Sequence, residues 1–178
     1  MATRRAGGLA GGRQRTAGRR TASEPRTARP TPAFARILVP VDFSSASTAA
    51  LATATRLARD LGAGLVLLHV TVEAPLYSEP PFSGRRIRDV YRGAAEWARR
   101  RLDGLSRRAR AAGLDVRTDV RAGVPHREIV ARANAVRAGL IVMGTHGRGG
   151  VERSLLGSVA DRVVRTAPCP VLTVRGRR

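Results

Sequence analysis

The chain has 178 residues, which suits one domain with a sizeable core, and its 3% of aromatic residues leaves aliphatic side chains and alanine to fill that core. Its 33 basic residues against 13 acidic ones give a formal charge of +20, which favours contact with polyanions but says little about the fold. No apolar run approaches the roughly 20 residues of a membrane-spanning helix, no signal-peptide-like segment stands near the start, and a single cysteine, Cys169, excludes an intrachain disulfide framework. We therefore expect a cytoplasmic protein.

The first 33 residues differ in composition from the rest of the chain. They are rich in arginine, glycine, alanine and threonine, and Glu24 is their only acidic residue. Because they offer almost nothing to bury, we expect 1–33 to form a disordered tail. The folded domain is then predicted over 34–176, with 177–178 as a frayed end.

The first half of this domain reads as strand, helix, strand, loop. Residues 37–41 are an apolar run typical of a buried parallel strand, and Pro40 fits only near its carboxyl end because proline donates no ladder bond. Asp42 follows, then a serine suited to cap a helix that Gly62 closes. In the second strand, 65–70, His69 is interpreted as a packed or hydrogen-bonded residue, with a ligand or catalytic role as the alternative.

The long connection over 71–84 is either a ligand-covering loop or a variable surface insertion.

The second half continues the alternation. A long helix that ends at Gly113 is predicted to bury a stripe that includes Val90, with Trp97 at its margin. Charged and apolar residues alternate over 116–121, as in an edge strand, and Pro125 opens the third helix at the favoured first position. The apolar run 140–143 predicts a fourth strand. A helix from Ser158 and a strand over 170–174 complete the chain.

The element order βαβαβαβαβ predicts an α/β fold: a doubly wound, five-stranded parallel sheet with helices on both faces, Rossmann-like. Ligands of such sheets bind beyond the carboxyl ends of the strands, where the strand order reverses. Asp42 and Gly144 each stand just past such an end. The sequence alone does not give the strand order.

Glycines mark the connection after the fourth strand. Gly144, Gly147 and Gly157 with Ser158 form the pattern G-x2-G-x9-G-S between a strand and a helix. It is not a Walker loop, because Gly150 stands where a lysine is required, and it is not G-x-G-x-x-G, because the third position falls on Glu152. Glycine permits positive φ and close approach of a ligand to the main chain, and a helix start supplies unpaired N–H groups to phosphate.

This pattern, with its flanks LIVMGTHGRGG and LLGSVADRVVRTAPCPVLTVR, resembles the nucleotide-binding signature of the universal stress protein (UspA-like) family, in its ATP-binding branch. The resemblance covers roughly 36–175. It implies strand order 3-2-1-4-5, which places the Asp42 and Gly144 loops side by side, and a role in stress response with ATP, together with Mg²⁺, as the cofactor. In one respect the chain departs from the family, since Gly139 stands where an acidic residue is frequent.

The resemblance also implies which residues contact the nucleotide. Asp42 corresponds to the aspartate that contacts the nucleoside, and the main chain of Val70 to the wall of the adenine pocket. Two glycine-containing segments correspond to the phosphate loop, in which Arg148 and Arg153 could add charge-assisted contacts. The residues assigned to the site are Pro40, Val41, Asp42, Val70, Met143, Gly144, His146, Gly147, Arg148, Gly157, Ser158, Val159 and Ala160. The alternative is that the glycines only shape a turn and Ser158 only caps its helix.

Catalysis and partners follow from the same residues. Asp42 is the only clear acid in the inferred pocket and the chain has no lysine, so we interpret the protein as a binding module with slow or absent hydrolysis and assign no catalytic or metal-binding residue.

The last strand would present an unpaired apolar edge, and the family implies a homodimer through Val171, Leu172, Thr173 and Val174. The alternative function is a basic polyanion- or protein-binding module with a purely structural glycine loop. Specific nucleic-acid recognition is not expected, because no recognition motif is present.

Overall fold

Nine elements alternate along the chain in the computed structural model, which describes residues 34–72, 85–146 and 156–176, with the main chain alone for 85–88. They are β1 (Arg36–Pro40), α1 (Ser45–Leu61), β2 (Gly64–Thr71), α2 (Arg85–Ala111), β3 (Val116–Ala122), α3 (Pro125–Val136), β4 (Leu140–Gly144), α4 (Ser158–Thr166) and β5 (Val171–Val174). All strand pairs are parallel, and the sheet order is β3-β2-β1-β4-β5. The predicted fold class and strand order are confirmed. The predicted tail 1–33, the end 177–178 and most of the 71–84 loop lie outside the described residues.

Two apolar layers cover the sheet, one on each face. Ile37, Val39, Leu65 and Leu67 are buried under α1 and α2, and the intervening strand residues pack against α3 and α4 on the other face. Because both faces are covered, the central strands carry unbroken apolar runs instead of alternating ones. Each fully buried Leu, Ile or Val contributes about 1.5–3 kcal/mol to folding.

The helix ends follow the local signals in the sequence. Ser44 caps α1 and accepts a hydrogen bond from the Ser47 main chain at 3.1 Å, and Gly62 ends the helix with φ 63°. Pro125 occupies the first turn of α3. At the other end of α3 the Arg36 guanidinium donates to the Val136 carbonyl at 2.7 Å, a cap supplied from β1 across 100 residues of sequence.

Two local expectations were wrong, and one alternative is excluded. Val41 lies just outside β1, whose pairing stops at Pro40. Val90 is 69% exposed, and the first described residue of α2 that is buried is Ala98, two turns further along the helix. Helix α4 begins at Ser158, as predicted, and its N-cap is Gly157, which excludes the alternative in which Ser158 only caps the helix.

The two edges of the sheet are β3, as predicted, and β5. The expectation of an apolar outer edge on β5 needs correction, because strand side chains point above and below a sheet and not along its plane. Val171 and Val174 pack against opposite faces of the core, and Leu172 is 38% exposed. The open edge of β5 is therefore formed by main-chain N–H and C=O groups. Within the described part of the chain, no helix combines the length and apolarity needed to span a bilayer.

Candidate functional site

The loops after β1 and β4 are in direct contact at the carboxyl edge of the sheet. A Cβ placed on Gly144 would lie 2.9 Å from the carbonyl carbon and the Cβ of Ala46, and 3.0 Å from the Ser47 nitrogen. The end of β4 therefore packs against the first turn of α1. This contact joins the Gly144 segment to the turn that carries Asp42, as the strand order requires.

Asp42 is held in a hydrogen-bonded turn that keeps it ionised. Its Oδ1 accepts from the Ser44 main chain at 3.0 Å and from the Ser44 hydroxyl at 2.6 Å. Burial would by itself raise the pKa of this carboxyl, but hydrogen bonds to it, from the Ser44 hydroxyl and main chain first and then from Ser47, together hold the pKa of Asp42 below its ordinary value. At neutral pH the site therefore presents a fixed negative charge.

Thr145 connects the end of β4 to β5 and to the start of α4. Its nitrogen donates to the Val174 carbonyl at 2.9 Å, its carbonyl accepts from the Gly157 nitrogen at 2.7 Å, and only 6% of the residue is exposed. The His146 Nδ1 lies 3.1 Å from the Thr145 hydroxyl. Thr145 thus fixes the distance between the end of β4 and the start of α4. The sequence analysis missed it, although it stands between Gly144 and His146.

The start of α4 has main-chain donors that no described side chain caps. Gly157 has φ −68° and ψ 159°, and no side-chain cap bond is formed there among the described residues. The first N–H groups of a helix have no partner within it, and together with the helix dipole they attract anions. Ser158 is exposed beside them, whereas Val159 is half-buried and Ala160 is buried. In this segment an anion can therefore meet main-chain N–H groups and one hydroxyl.

The start of α1 is arranged differently. Ser44 caps it, and a Cβ placed on Gly176 would lie 3.0 Å from the Ser45 hydroxyl and 3.1 Å from the Ala46 nitrogen. The segment after β5 thus packs on this first turn. Of the two helix starts at this edge, α1 is capped by a side chain and covered, while no described side chain caps α4.

The other residues assigned to the site differ in what they can offer. The side chains of Pro40, Val41 and Met143 are buried, so only their main chains can meet a ligand, and Val70 is half-buried near the end of β2. Gly147, Arg148 and Arg153 lie outside the described residues. Within 34–72, 85–146 and 156–176, no group of three His, Cys, Asp or Glu side chains is placed to hold a metal ion.

This chain is similar to known proteins both in sequence and in fold. Residues 33–175 match the model of the universal stress protein family. Universal stress protein MJ0531 of Methanocaldococcus jannaschii is 36% identical over 143 residues, covering 80% of this chain and 82% of that protein. The solved structure of MJ0577, from the same organism, superposes with a TM-score of 0.73 at 28% identity over 82% of this chain and 98% of its own. A solved universal stress protein in complex with cAMP gives a TM-score of 0.57 at 28% identity, with 81% and 98% coverage.

Proposed function

Because the chain belongs to the universal stress protein family, we propose that it is an ATP-binding protein of the stress response that acts as a nucleotide-responsive regulatory module. The observation that carries the proposal is the pairing, at one edge of the sheet, of the ionised Asp42 with the start of α4, which no described side chain caps. A carboxylate accepts hydrogen bonds from ribose hydroxyl or amino groups, whereas unpaired N–H groups donate to phosphate oxygens. One site thus offers both halves of a nucleotide a suitable partner.

The charges of the site favour one orientation of the bound nucleotide. The negative Asp42 repels phosphate, so the nucleoside is favoured near Asp42 and Val70, and the phosphates near the start of α4. The relative in complex with cAMP supports an adenine nucleotide as the ligand class. Mg²⁺ would neutralise part of the phosphate charge. Asp42 is already engaged by Ser44 and is the one acid described in this turn, which favours retention of the nucleotide over rapid hydrolysis.

The test is a titration of the full chain with Mg·ATP, followed by the fluorescence of Trp97, the one tryptophan of the chain. Its ring lies 5.1 Å from that of Phe43, the residue after Asp42. Ser158→Ala should weaken ATP binding by about tenfold, because a hydrogen bond to a charged group is lost. Ser45→Ala, which changes the equivalent first residue of the capped helix α1, is the matched control and should bind like the wild type. Absence of saturable binding at millimolar Mg·ATP would refute the proposal.

We further propose that the protein acts as a cytoplasmic homodimer that pairs through β5. This strand is a sheet edge with an exposed Leu172 between half-buried neighbours, and an open edge favours pairing with a second chain. Leu172→Arg should therefore give a monomer by light scattering at a concentration where the wild type is dimeric. A wild type that is strictly monomeric at micromolar concentration would contradict the dimer.

A second candidate function, polyanion binding, is favoured by the charge distribution. Helix α2 carries ten arginines and three acidic residues, whereas α3 and α4 together carry four arginines and two acidic residues. The three acidic residues of α2 each pair with an arginine, and no described carboxylate lies within ion-pair distance of the exposed Arg99 and Arg107. Binding of this kind weakens steeply with salt. Replacing Arg99 and Arg107 by glutamine should reduce binding of a single-stranded oligonucleotide, and the same change at Arg127 and Arg162 on the opposite face should not.

A further inference from the structure

The ladder between β1 and β2 stops one residue before Asp42. Its last pair is Pro40 with Leu68, and the Val41 nitrogen still donates to the Leu68 carbonyl at 2.8 Å. In a parallel ladder alternate residues of a strand bond to the same neighbour, so the next donor would be the Val70 N–H and its acceptor the Val41 carbonyl. That bond would pair Val41 with His69, and the observed pairing does not extend so far.

The side chain of His69 takes the place of the missing ladder bond. Its Nδ1 lies 2.7 Å from the Val41 carbonyl oxygen. A carbonyl can only accept, so Nδ1 carries the proton and donates. The residue that precedes Asp42 is therefore bound to β2 twice, through its nitrogen by main chain and through its oxygen by an imidazole.

Phe43 packs against the His69 ring. It has φ 66°, a strained conformation that is uncommon for a residue with a side chain and that persists only where surrounding contacts offset its energetic cost. Its ring lies 4.8 Å from the His69 ring and 5.1 Å from that of Trp97, and the Arg101 guanidinium lies 5.5 Å from its centroid. These contacts stabilise both the turn and the orientation of the imidazole.

From this arrangement we infer that His69 is a positioning residue for base recognition, an inference that rests on the proposed nucleotide function. The Val41 carbonyl accepts from the imidazole and the ladder ends before it, so the Val70 N–H and C=O stay outside the ladder and point to the side of β1, beyond its end. A neighbouring donor and acceptor match adenine, whose N1 accepts and whose N6 amino group donates. Guanine presents the opposite pattern at these two positions. His69 thereby favours ATP over GTP without touching either.

The first test compares His69→Leu with His69→Asn in titrations with ATP and with GTP. Leucine removes the donor, so the Val70 N–H is free to bond Val41, and we expect ATP binding to weaken by about tenfold with little change for GTP. The asparagine amide reaches the position of Nδ1 and should restore selectivity. An ATP-to-GTP preference in His69→Leu within about twofold of the wild type overturns the inference, and so does an equal loss for both nucleotides.

The second test needs no nucleotide and separates this inference from the proposed function. Amide exchange of Val70, measured by NMR on the ligand-free full chain, should be fast in the wild type and in His69→Asn. It should slow by at least about tenfold in His69→Leu, where the ladder can extend. A Val70 amide that is already protected in the wild type overturns the role of His69. If exchange behaves as expected but the wild type binds no nucleotide, the ladder-ending role stands and base recognition is overturned together with the proposed function.

Discussion

Replacing Gly144 by alanine is expected to destabilise the protein in the absence of any ligand. The new Cβ would lie 2.9 Å from two carbon atoms of Ala46 and 3.0 Å from the Ser47 nitrogen, whereas unstrained carbon contacts are about 3.5–4.0 Å. The opposing atoms are mostly main chain in the first turn of α1, so no side chain can rotate away. Either β4 or α1 must move, and β4 is hydrogen-bonded between β1 and β5.

The size of the effect follows from two opposing contributions. Overpacking of this kind costs about 1–3 kcal/mol, and the rigid neighbours place Gly144→Ala in the upper part of that range. Exchange of glycine for alanine also restricts the unfolded chain, which offsets about 0.4–1 kcal/mol. We expect a net loss of roughly 2 kcal/mol in the free energy of unfolding.

The assay is urea unfolding followed by circular dichroism without nucleotide, in which the midpoint should fall while the slope stays the same. The matched control is Gly93→Ala in α2, because a Cβ at Gly93 would meet nothing within 4 Å. That change should raise stability by about 0.5–1 kcal/mol, since alanine is the better helix former. A Gly144→Ala protein as stable as the wild type would refute close packing as the reason for this glycine.

Three further changes test the turn and the caps. Asp42→Asn should destabilise the protein at neutral pH. The depressed pKa of Asp42 contributes stability that is present above the unfolded value of about 3.9 and is lost as the pH falls through the folded pKa. The urea midpoints of variant and wild type should therefore converge in acid, and a gap that stays constant with pH would contradict this cause. Ser44→Ala should cost about 1–2 kcal/mol through the lost cap of α1, against a near-neutral Ser45→Ala. Gly62→Ala, at φ 63°, should lower stability by about 1 kcal/mol, and an unchanged melting temperature would count against this.

The sequence predicted those parts of the fold that depend on local pattern. Apolar runs marked the central strands, Pro40 fell at the carboxyl end of its strand, and Gly62 ended its helix as expected. Periodicity failed where tertiary structure decides: Val90 continues the apolar stripe of α2 but is exposed, two turns before the first described buried residue of the helix, Ala98. At Ser158 a residue type favoured for caps stands one position inside the helix, because Gly157 already has the extended conformation of an N-cap.

The parts of the candidate site that were missed depend on contacts between distant residues. The sequence assigns Gly144 to the nucleotide site, which stays a prediction, but it does not show that this glycine packs against the first turn of α1, almost 100 residues earlier in the chain. The hydrogen bond between His69 and the Val41 carbonyl joins residues 28 positions apart, and the sequence around either residue does not indicate it. Only the family resemblance could bring Asp42 and Gly144 together in advance, because it supplied the strand order.

The most direct test of the account is a calorimetric titration of the full-length protein with Mg·ATP, beside Ser158→Ala and Ser45→Ala. The account predicts saturable binding of one nucleotide per chain, binding that is weaker by about tenfold in Ser158→Ala and unchanged in Ser45→Ala. No saturable heat from the wild type at millimolar Mg·ATP, with the protein folded by circular dichroism, would contradict nucleotide binding at this site.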